Sequence, residues 1–274
     1  MCHACGGCCH GVRVRPIDTE EHARVAALAA QLGVAEPWVD GALRTVDGRC
    51  ALLDDDRRCR LHGAFGAAAK PHVCRQYPLV AVDLDVEERV GVDPGCYTFF
   101  ESREAGARLA LDDLAVTPGS SDEGQRSRER ALLDQVCPAD ASPRDVLARL
   151  MGDPDAAWAR WQAQVRARRA TIEPLLARED TGGPARAGAR ALLDATDAHP
   201  ARLPSLTPAL ARHAVASARA LVFLRLVRTL PPEAVLVTSL LGFVAAGACE
   251  EPAAAVAAWS RVLRAPAFAR ALVG

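Results

Sequence analysis

The sequence predicts an α+β protein in which a small cysteine-rich domain of short hairpins and helices precedes an all-helical domain. Two observations predict this order. Eight of the ten cysteines in the 274-residue chain fall in its first 96 residues, among short apolar runs broken by Gly, Pro and Asp. Beyond residue 130, apolar residues recur at the spacing of helices. We therefore predict a cysteine-cluster domain over 1–115, a linker over 116–130 and a helical domain over 131–274.

The chain opens with a dense C-x-x-C-x-x-C-C run in Met-Cys-His-Ala-Cys-Gly-Gly-Cys-Cys-His. Adjacent cysteines bridge only with strain, so four thiols this close together do not all form ordinary disulfides. Two-residue spacings let a turn direct several sulfurs at one ion or cluster, and Gly6 and Gly7 relax the backbone between them. The run predicts a metal or iron–sulfur site. Its ligand pool is Cys2, Cys5, Cys8, Cys9, Cys50, Cys59, Cys74 and Cys96.

The number of cysteines leaves several kinds of site open. Thiolates are soft anionic donors that bind both zinc and iron–sulfur clusters. One tetrahedral zinc takes four ligands, so eight cysteines would serve two zincs, one cubane cluster with a further metal, or two clusters. In each case metal binding would be part of the folding of a domain with few long strands. We expect iron in a 4Fe–4S cluster, with zinc as the alternative.

Composition excludes several classes of function. The chain carries 33 basic and 34 acidic residues, which predicts neither a nucleic-acid nor an anionic-membrane partner. The longest apolar run, 234–249, is shorter than the roughly 18–20 residues of a bilayer span and predicts a buried helix. No basic and apolar leader precedes the cysteine run, so we expect a cytoplasmic, reducing location. Because dinucleotide, Walker and nucleophile-elbow motifs are missing, a metal centre would carry any redox or group-transfer chemistry.

Local patterns predict the elements of the cysteine-rich part. Asp18, with Glu21 three residues on, resembles a capping box and begins a helix that Gly33 ends. A second short helix is expected to begin at Pro37. Further along, the pattern predicts a hairpin turn at 55–58 between Cys50 and Cys59, a short helix over 64–69, a hairpin of strands over 79–84 and 89–92, and a helix over 99–114.

Beyond residue 115 the chain reads as a linker and then as helices. The stretch 116–130 is polar and contains Pro, Gly and Ser, which is typical of a linker. Ser142-Pro143 predicts a capped helix start with proline in the first turn. The pattern also predicts a long helix over 154–178, a buried helical pair over 210–230 and 234–249, and a last helix within 250–263.

Several polar residues near the cysteines are candidates for a supporting role. Lys70, Arg75 and Tyr77 flank Cys74, and a fixed positive charge beside bound thiolates would offset their negative charge. Four histidines stand within a few residues of a cysteine and could bind the metal or donate a hydrogen bond to a ligand, the alternative being a surface or loop position. These are His3, His10, His62 and His72.

The acidic run 54–56 and the last two cysteines can be explained without metal binding. The acidic run 54–56 could supply oxygen ligands to iron, but a hairpin turn explains it without metal chemistry. Cys137 and Cys249 lie far from the other cysteines in the sequence. We predict that both are small buried residues of the helical domain.

The cysteine pattern resembles that of the YkgJ-type family, the CxxCxxCC cysteine-cluster domains described as zinc- or iron-chelating. The family opens with C-x-x-C-G-x-C-C, as residues 2–9 do. A later block reads C-x-x-L-D, acidic residues, R-C-x-L-H, Gly, and K-P-x-x-C-R-x-Y-P. Here that block stands at Cys50, Leu53-Asp54, Arg58-Cys59, Leu61-His62, Gly66, Lys70-Pro71, Cys74-Arg75 and Tyr77-Pro78. The matches cover about residues 1–100.

One branch of this family, the flagellin lysine N-methylases, has an all-helical tail after the cysteine domain. Residues 131–274 resemble that tail in length and helical character. The resemblance implies an iron–sulfur centre and, in that branch, methyl transfer from S-adenosylmethionine to a protein lysine.

Three functions therefore stand as hypotheses. The first, which we expect, is a metal or redox module whose irons are all bound by cysteine. The second is an iron–sulfur lysine methylase with an open iron position for S-adenosylmethionine. The third is a zinc-stapled module whose helical domain binds a protein partner.

Overall fold

The structure is a computed structural model of the chain. It describes residues 6, 9, 14–85, 87–96, 114, 116–119, 122–176, 190, 193–194, 197, 202–247, 252–264 and 269. Within these residues, short hairpins, a small sheet and short helices come first, and longer helices follow. This order confirms the predicted α+β fold with a helical C-terminal region.

Helix α1 (Thr19–Gln31) begins where the sequence predicts. The Asp18 carboxylate accepts a hydrogen bond from the Glu21 backbone N–H at 2.7 Å, which satisfies one of the N–H groups left unpaired in the first turn. Val25 is fully buried on the inner face of the helix. Gly33, with φ of +78°, follows the C-cap and lets the chain turn away.

Two tight hairpins follow α1, and the helix predicted from Pro37 is wrong. The turns are Asp40-Gly41 and Asp47-Gly48, and all four residues have positive φ. Two consecutive residues of positive φ are what a two-residue hairpin turn needs, and Asp-Gly supplies them at low cost. This turn chemistry outweighs the helix start that Pro37 indicates. The antiparallel pairs are β1 (Trp38–Val39) with β2 (Ala42–Leu43), and β3 (Thr45–Val46) with β4 (Arg49–Cys50).

Two short helices follow the hairpins: α2 (Arg60–Phe65) and α3 (His72–Gln76), with a 3₁₀ turn at Ala67–Ala69 between them. The short helix predicted over 64–69 therefore begins and ends earlier. Gly66 follows α2 with φ of +83°, a conformation that ends a helix readily when the residue has no Cβ. Leu61 of α2 is fully buried in the core that α1 helps to form.

A three-stranded sheet closes the cysteine-rich part. Its central strand β5 (Leu79–Asp83) pairs antiparallel with β6 (Glu88–Val92), as the sequence predicts, and parallel with β7 (Val116–Pro118). The segment 116–130 therefore contains a strand, and Glu123 begins a helix within it. The division of the chain into two domains stays a prediction. The helix predicted over 99–114 falls almost wholly outside the described residues.

The C-terminal part is a set of packed helices. The predicted helix over 154–178 is divided at Arg168, whose backbone leaves the helical conformation. Ser142 caps the helix that follows it, as predicted, and Asp145 completes a capping box. The helices are α4 (Glu123–Ala131), continued by a π-helical turn at Leu132–Val136, α5 (Pro143–Met151), α6 (Pro154–Ala167), α7 (Arg169–Leu176), α8 (Pro208–Phe223), α9 (Pro232–Ala246) and α10 (Pro252–Val262).

Helix α9 lies at the centre of this part and contacts α5, α6, α8 and α10. Apart from its first turn and Val237 it is buried on all sides, which confirms that the longest apolar run is a core helix. No helix in the described part of the chain is long and apolar enough to cross a membrane.

Candidate metal centre

Four of the eight predicted ligands line one cavity. Cys9, Cys50, Cys59 and Cys74 come from four separate segments of the chain and share a cavity of about 50 Å³. That volume exceeds the ~10–15 Å³ that one water molecule requires. The remaining wall is largely apolar, so a bound group there would be shielded from solvent.

A tight turn brings Cys59 back towards Cys50. Leu53 and Cys59 form an isolated antiparallel bridge. Between them, the Asp54 carboxylate accepts a hydrogen bond from the Arg58 backbone N–H at 2.7 Å, and Arg57 has a φ of +62°. The acidic run 54–56 does not line the cavity. It therefore forms the predicted turn, and the structure gives it no position as an oxygen ligand.

Helix α1 fixes the position of the segment that carries Cys74. The Glu21 carboxylate accepts a hydrogen bond from the His72 backbone N–H at 2.6 Å, in a buried position. The Arg24 guanidinium donates to the carbonyl oxygens of Ala69 and Lys70 at 3.0 and 3.2 Å. Because α3 is only five residues long, these contacts from α1 and not the helix itself determine where Cys74 lies.

The polar neighbours of Cys74 divide into two groups. Lys70 and Tyr77 line the cavity, and Lys70 is 9% exposed. The Arg75 guanidinium lies elsewhere and donates to the Ala68 carbonyl oxygen at 3.0 Å. A lysine ammonium in the wall favours anionic thiolates by direct charge attraction.

No predicted histidine lines the cavity among those that the structure describes. His62 is exposed, and the Nδ1 atom of the buried His72 lies 3.2 Å from the Arg75 guanidinium. His3 and His10 lie outside the described residues. The described histidines thus provide no metal ligand at the cavity.

Cys96 does not line this cavity but lies near its Tyr77 wall. It follows the turn at 93–95, and its backbone N–H donates to the Asp93 carbonyl oxygen at 3.1 Å. Burial and the neighbouring Asp93 carboxylate raise the pKa of Tyr77 well above its usual value, and Cys96 acts in the same direction. The hydroxyl of Tyr77 therefore stays protonated as a hydrogen-bond donor.

The Tyr77 hydroxyl supports the presence of a bound group. It is buried and has no hydrogen-bond partner among the described residues. Buried polar groups normally have such a partner, and a metal-bound sulfur beside it would provide one. The sulfur-rich cavity wall and this donor both fit a thiophilic metal or an iron–sulfur cluster.

The described thiols do not by themselves form a complete site. Across the part of the chain that the structure describes, no three His, Cys, Asp or Glu side chains converge closely enough to hold a metal ion. No disulfide joins any two of the six described cysteines. Cys2, Cys5 and Cys8 lie outside the described residues, so the eight-cysteine ligand pool stays a prediction.

Of the two cysteines predicted to be buried residues of the helical domain, the structure describes one. Cys137 is fully buried in the helical part, as predicted, and burial raises its pKa to about 11. A thiol with so high a pKa remains protonated near neutral pH and is a poor metal ligand. Cys249 lies outside the described residues.

Gly6 has a role beyond the backbone flexibility that the sequence suggests. It is buried, has a φ of +67°, and packs against Arg57 in the turn that precedes Cys59. A Cβ atom on Gly6 would lie 2.5 Å from the Arg57 carbonyl oxygen, closer than atoms tolerate. This close approach places Gly6, which stands between Cys5 and Cys8 in the sequence, against the turn before Cys59.

We expect Gly6→Ala to weaken metal binding at least tenfold, because the added methyl would push the cysteine run away from Arg57. Gly41→Ala is the matched control. Its φ of +69° imposes the same backbone strain, but nothing lies within 4 Å of the added methyl. Metal affinity measured by competition with a chelator checks the prediction. Equal affinities for the two variants would show that close packing at Gly6 is not needed.

Sequence reasoning missed the residues that hold the Cys96 turn. The Asp93 carboxylate pairs with Arg264, 171 residues further along the chain. Burial alone would raise the pKa of Asp93, but Arg264 and the Gly95 backbone N–H hold it below its usual value. No local pattern signals a pair at such a separation. It becomes visible only when the helical part is packed against the sheet.

Comparison with known proteins agrees with the cysteine pattern. Residues 1–97 match the family model CxxCxxCC, described as a putative zinc- or iron-chelating domain. The match includes the four cavity cysteines and Cys96, and it supports a metal-binding cysteine-cluster module. The comparisons with curated proteins and with solved structures gave no match.

Proposed function

We propose, from the match of residues 1–97 to the CxxCxxCC family model, that this protein is a metal or redox module that holds iron in a 4Fe–4S cluster. The observation that supports this proposal best is that Cys9, Cys50, Cys59 and Cys74 line one cavity although they come from four segments. The other proposed ligands are Cys2, Cys5, Cys8 and Cys96. A bound cluster of this type supplies one-electron transfer.

The residues around the cavity would adjust the properties of the bound group. Lys70 would offset the negative charge of the thiolates, and the apolar wall would exclude water and strengthen that interaction. The buried hydroxyl of Tyr77 would donate a hydrogen bond to a ligand sulfur. Charge, burial and hydrogen bonds to sulfur are the factors through which a protein sets a cluster's reduction potential.

Zinc is the second candidate. Four thiols in one cavity equal the number that one structural zinc takes, and the family description names zinc beside iron. In that case the domain would be a stapled scaffold, and the helical part would be the surface that meets a protein partner. Lysine methylation with S-adenosylmethionine rests on the resemblance of residues 131–274 alone and is the third candidate.

Metal analysis after anaerobic purification tests the proposal. Iron and acid-labile sulfide in equal molar amounts, in a brown protein, would support the cluster. Colourless protein with about two zinc ions per chain would support the scaffold instead, because eight thiolates fill two tetrahedral sites. Protein with neither metal, after reconstitution with both, would contradict metal binding. For an iron-loaded protein, equilibrium dialysis with S-adenosylmethionine then separates the methylase from the redox module.

A further inference from the structure

We infer that helix α10 and the turn directly after it position Cys96 for metal binding, through Arg261 on the helix and Arg264 in the turn. This inference rests on the proposed function, since it treats Cys96 as a ligand. The helical part of the chain would then be a structural component of the metal centre.

The first contact is an ion pair with two hydrogen bonds. Nη1 of Arg264 donates to Oδ2 of Asp93 at 2.7 Å, and Nη2 of the same guanidinium donates to Oδ1. Asp93 is 5% exposed. Two parallel hydrogen bonds from a planar guanidinium fix the carboxylate's orientation as well as its distance. The pair therefore holds the residue three positions before Cys96 in one orientation.

The second contact fixes the turn itself. Nε of Arg261 donates to the Gly95 carbonyl oxygen at 2.9 Å, and the Gly95 N–H donates to Oδ1 of Asp93 at 2.7 Å. A Cβ atom on Gly95 would lie 2.9 Å from both Cγ of Arg261 and Oδ1 of Asp93. Only glycine lets the turn approach α10 this closely. Both polar backbone groups of the residue before Cys96 are thus engaged.

The same turn is joined to the wall of the cysteine cavity. The Asp93 N–H donates to the Pro78 carbonyl oxygen at 2.9 Å, directly after Tyr77 in the chain. Tyr77 lines the cavity. Its hydroxyl also interacts electrostatically with Asp93, Cys96, Arg261 and Arg264. Cys96 therefore lies near the cavity wall, in a turn that Arg261 and Arg264 hold.

Positioning matters because Cys96 follows the end of β6, where no strand pairing constrains the chain. A metal ligand held in place before binding loses less conformational freedom when the metal arrives. The contrasting explanation is that the Asp93–Arg264 pair only attaches two parts of the chain. That explanation predicts a change in stability without a specific change at Cys96.

The experiment measures the alkylation rate of each cysteine by mass spectrometry, in the full chain as purified with its bound metal. We expect Arg264→Gln to raise the rate at Cys96 more than tenfold and to leave the rate at Cys59 unchanged, with Arg264→Lys in between. The matched control is Arg144→Gln, which breaks the exposed Arg144–Asp155 pair, where the side chains are 48% and 37% exposed. A Cys96 rate unchanged in folded Arg264→Gln protein would overturn the inference.

A second variant and a second measurement keep the test decisive. If Arg264→Gln does not fold, Gly95→Ala displaces the turn from Arg261 without removing a charge, and the same rise at Cys96 is expected. Metal affinity is then compared between wild type and the folded variant, and we expect at least a tenfold loss. Wild-type protein that binds no metal would contradict the proposed function, whereas a wild type that binds metal and a variant that binds it equally well would contradict the inference alone.

Discussion

Cys74→Ala is expected to lose most of the bound metal and to lower the stability of the cysteine-rich part. The Cys74 side chain packs against the core formed by α1, Leu52 and Leu61, and it lines the cavity. Apparent binding free energies of structural metals reach about 10–16 kcal/mol and contribute directly to folding. A lost ligand in a short helix with little core of its own therefore affects both metal binding and folding.

The control for Cys74→Ala is Cys137→Ala. Cys137 is fully buried but lies in the helical part, away from the cavity. Removing its sulfur should cost about 1 kcal/mol through lost packing and leave the metal content unchanged. Elemental analysis and thermal unfolding of both variants check the prediction. Equal metal content in the two variants would show that Cys74 is not a ligand, and the double change Cys5→Ser with Cys8→Ser would then test the N-terminal run.

The parts of the fold that could be predicted are those determined by local chemistry. Asp18 and Ser142 each accept a hydrogen bond from a backbone N–H in the first turn of their helix, and both helices begin where predicted. The alternation of apolar and polar residues within 79–92 is also a local signal, and it predicts strands β5 and β6. The helix predicted from Pro37, which is wrong, shows two local signals in competition. The positive φ of Asp40 and Gly41 decided the outcome.

The site could be predicted only as a set of residues. Cys50 and Cys59 lie near each other because of the turn at 54–58, which residues between them in the sequence form. Cys74 joins them because Glu21 and Arg24, about fifty residues earlier, hold its segment against α1. The sequence contains no periodic signal for such contacts, since each one is a single polar pair between distant elements.

The sheet and the helical part are joined by buried charges at two places. Nη1 of Arg89 on β6 donates to the Glu129 carboxylate at 2.8 Å, and the other oxygen of that carboxylate lies 2.8 Å from Arg225 at the end of α8. The second place is the Asp93–Arg264 pair. Removing one partner of a buried pair leaves an uncompensated charge, so these contacts favour one relative position of β6 and the helices. The packing of the helices should therefore influence the loop that carries Cys96.

Gly242→Ala is expected to lower the stability of the helical part by about 3 kcal/mol, which corresponds to a fall of roughly 6–12 °C in Tm for a chain of this size. Gly242 on the central helix α9 faces the indole of Trp259 on α10, and an added Cβ would overlap the ring, with Cδ1 at 2.6 Å among the nearest atoms. Trp259 is fully buried and packs edge-on against Trp161 at 6.2 Å, so it has no room to move away.

The matched control for Gly242→Ala is Gly63→Ala. Gly63 lies within α2, and nothing is within 4 Å of a Cβ added there, so alanine's higher helix propensity should stabilise the protein by up to about 1 kcal/mol. Thermal unfolding measures both variants. Because Arg261 lies on the same helix as Trp259 and Arg264 lies in the turn directly after it, displacing Trp259 should also release the Asp93 turn and raise the alkylation rate of Cys96. A Gly242→Ala protein that melts like wild type would mean that Trp259 does not fix α10 against α9, and α10 would then lack the rigid support that positioning Cys96 requires.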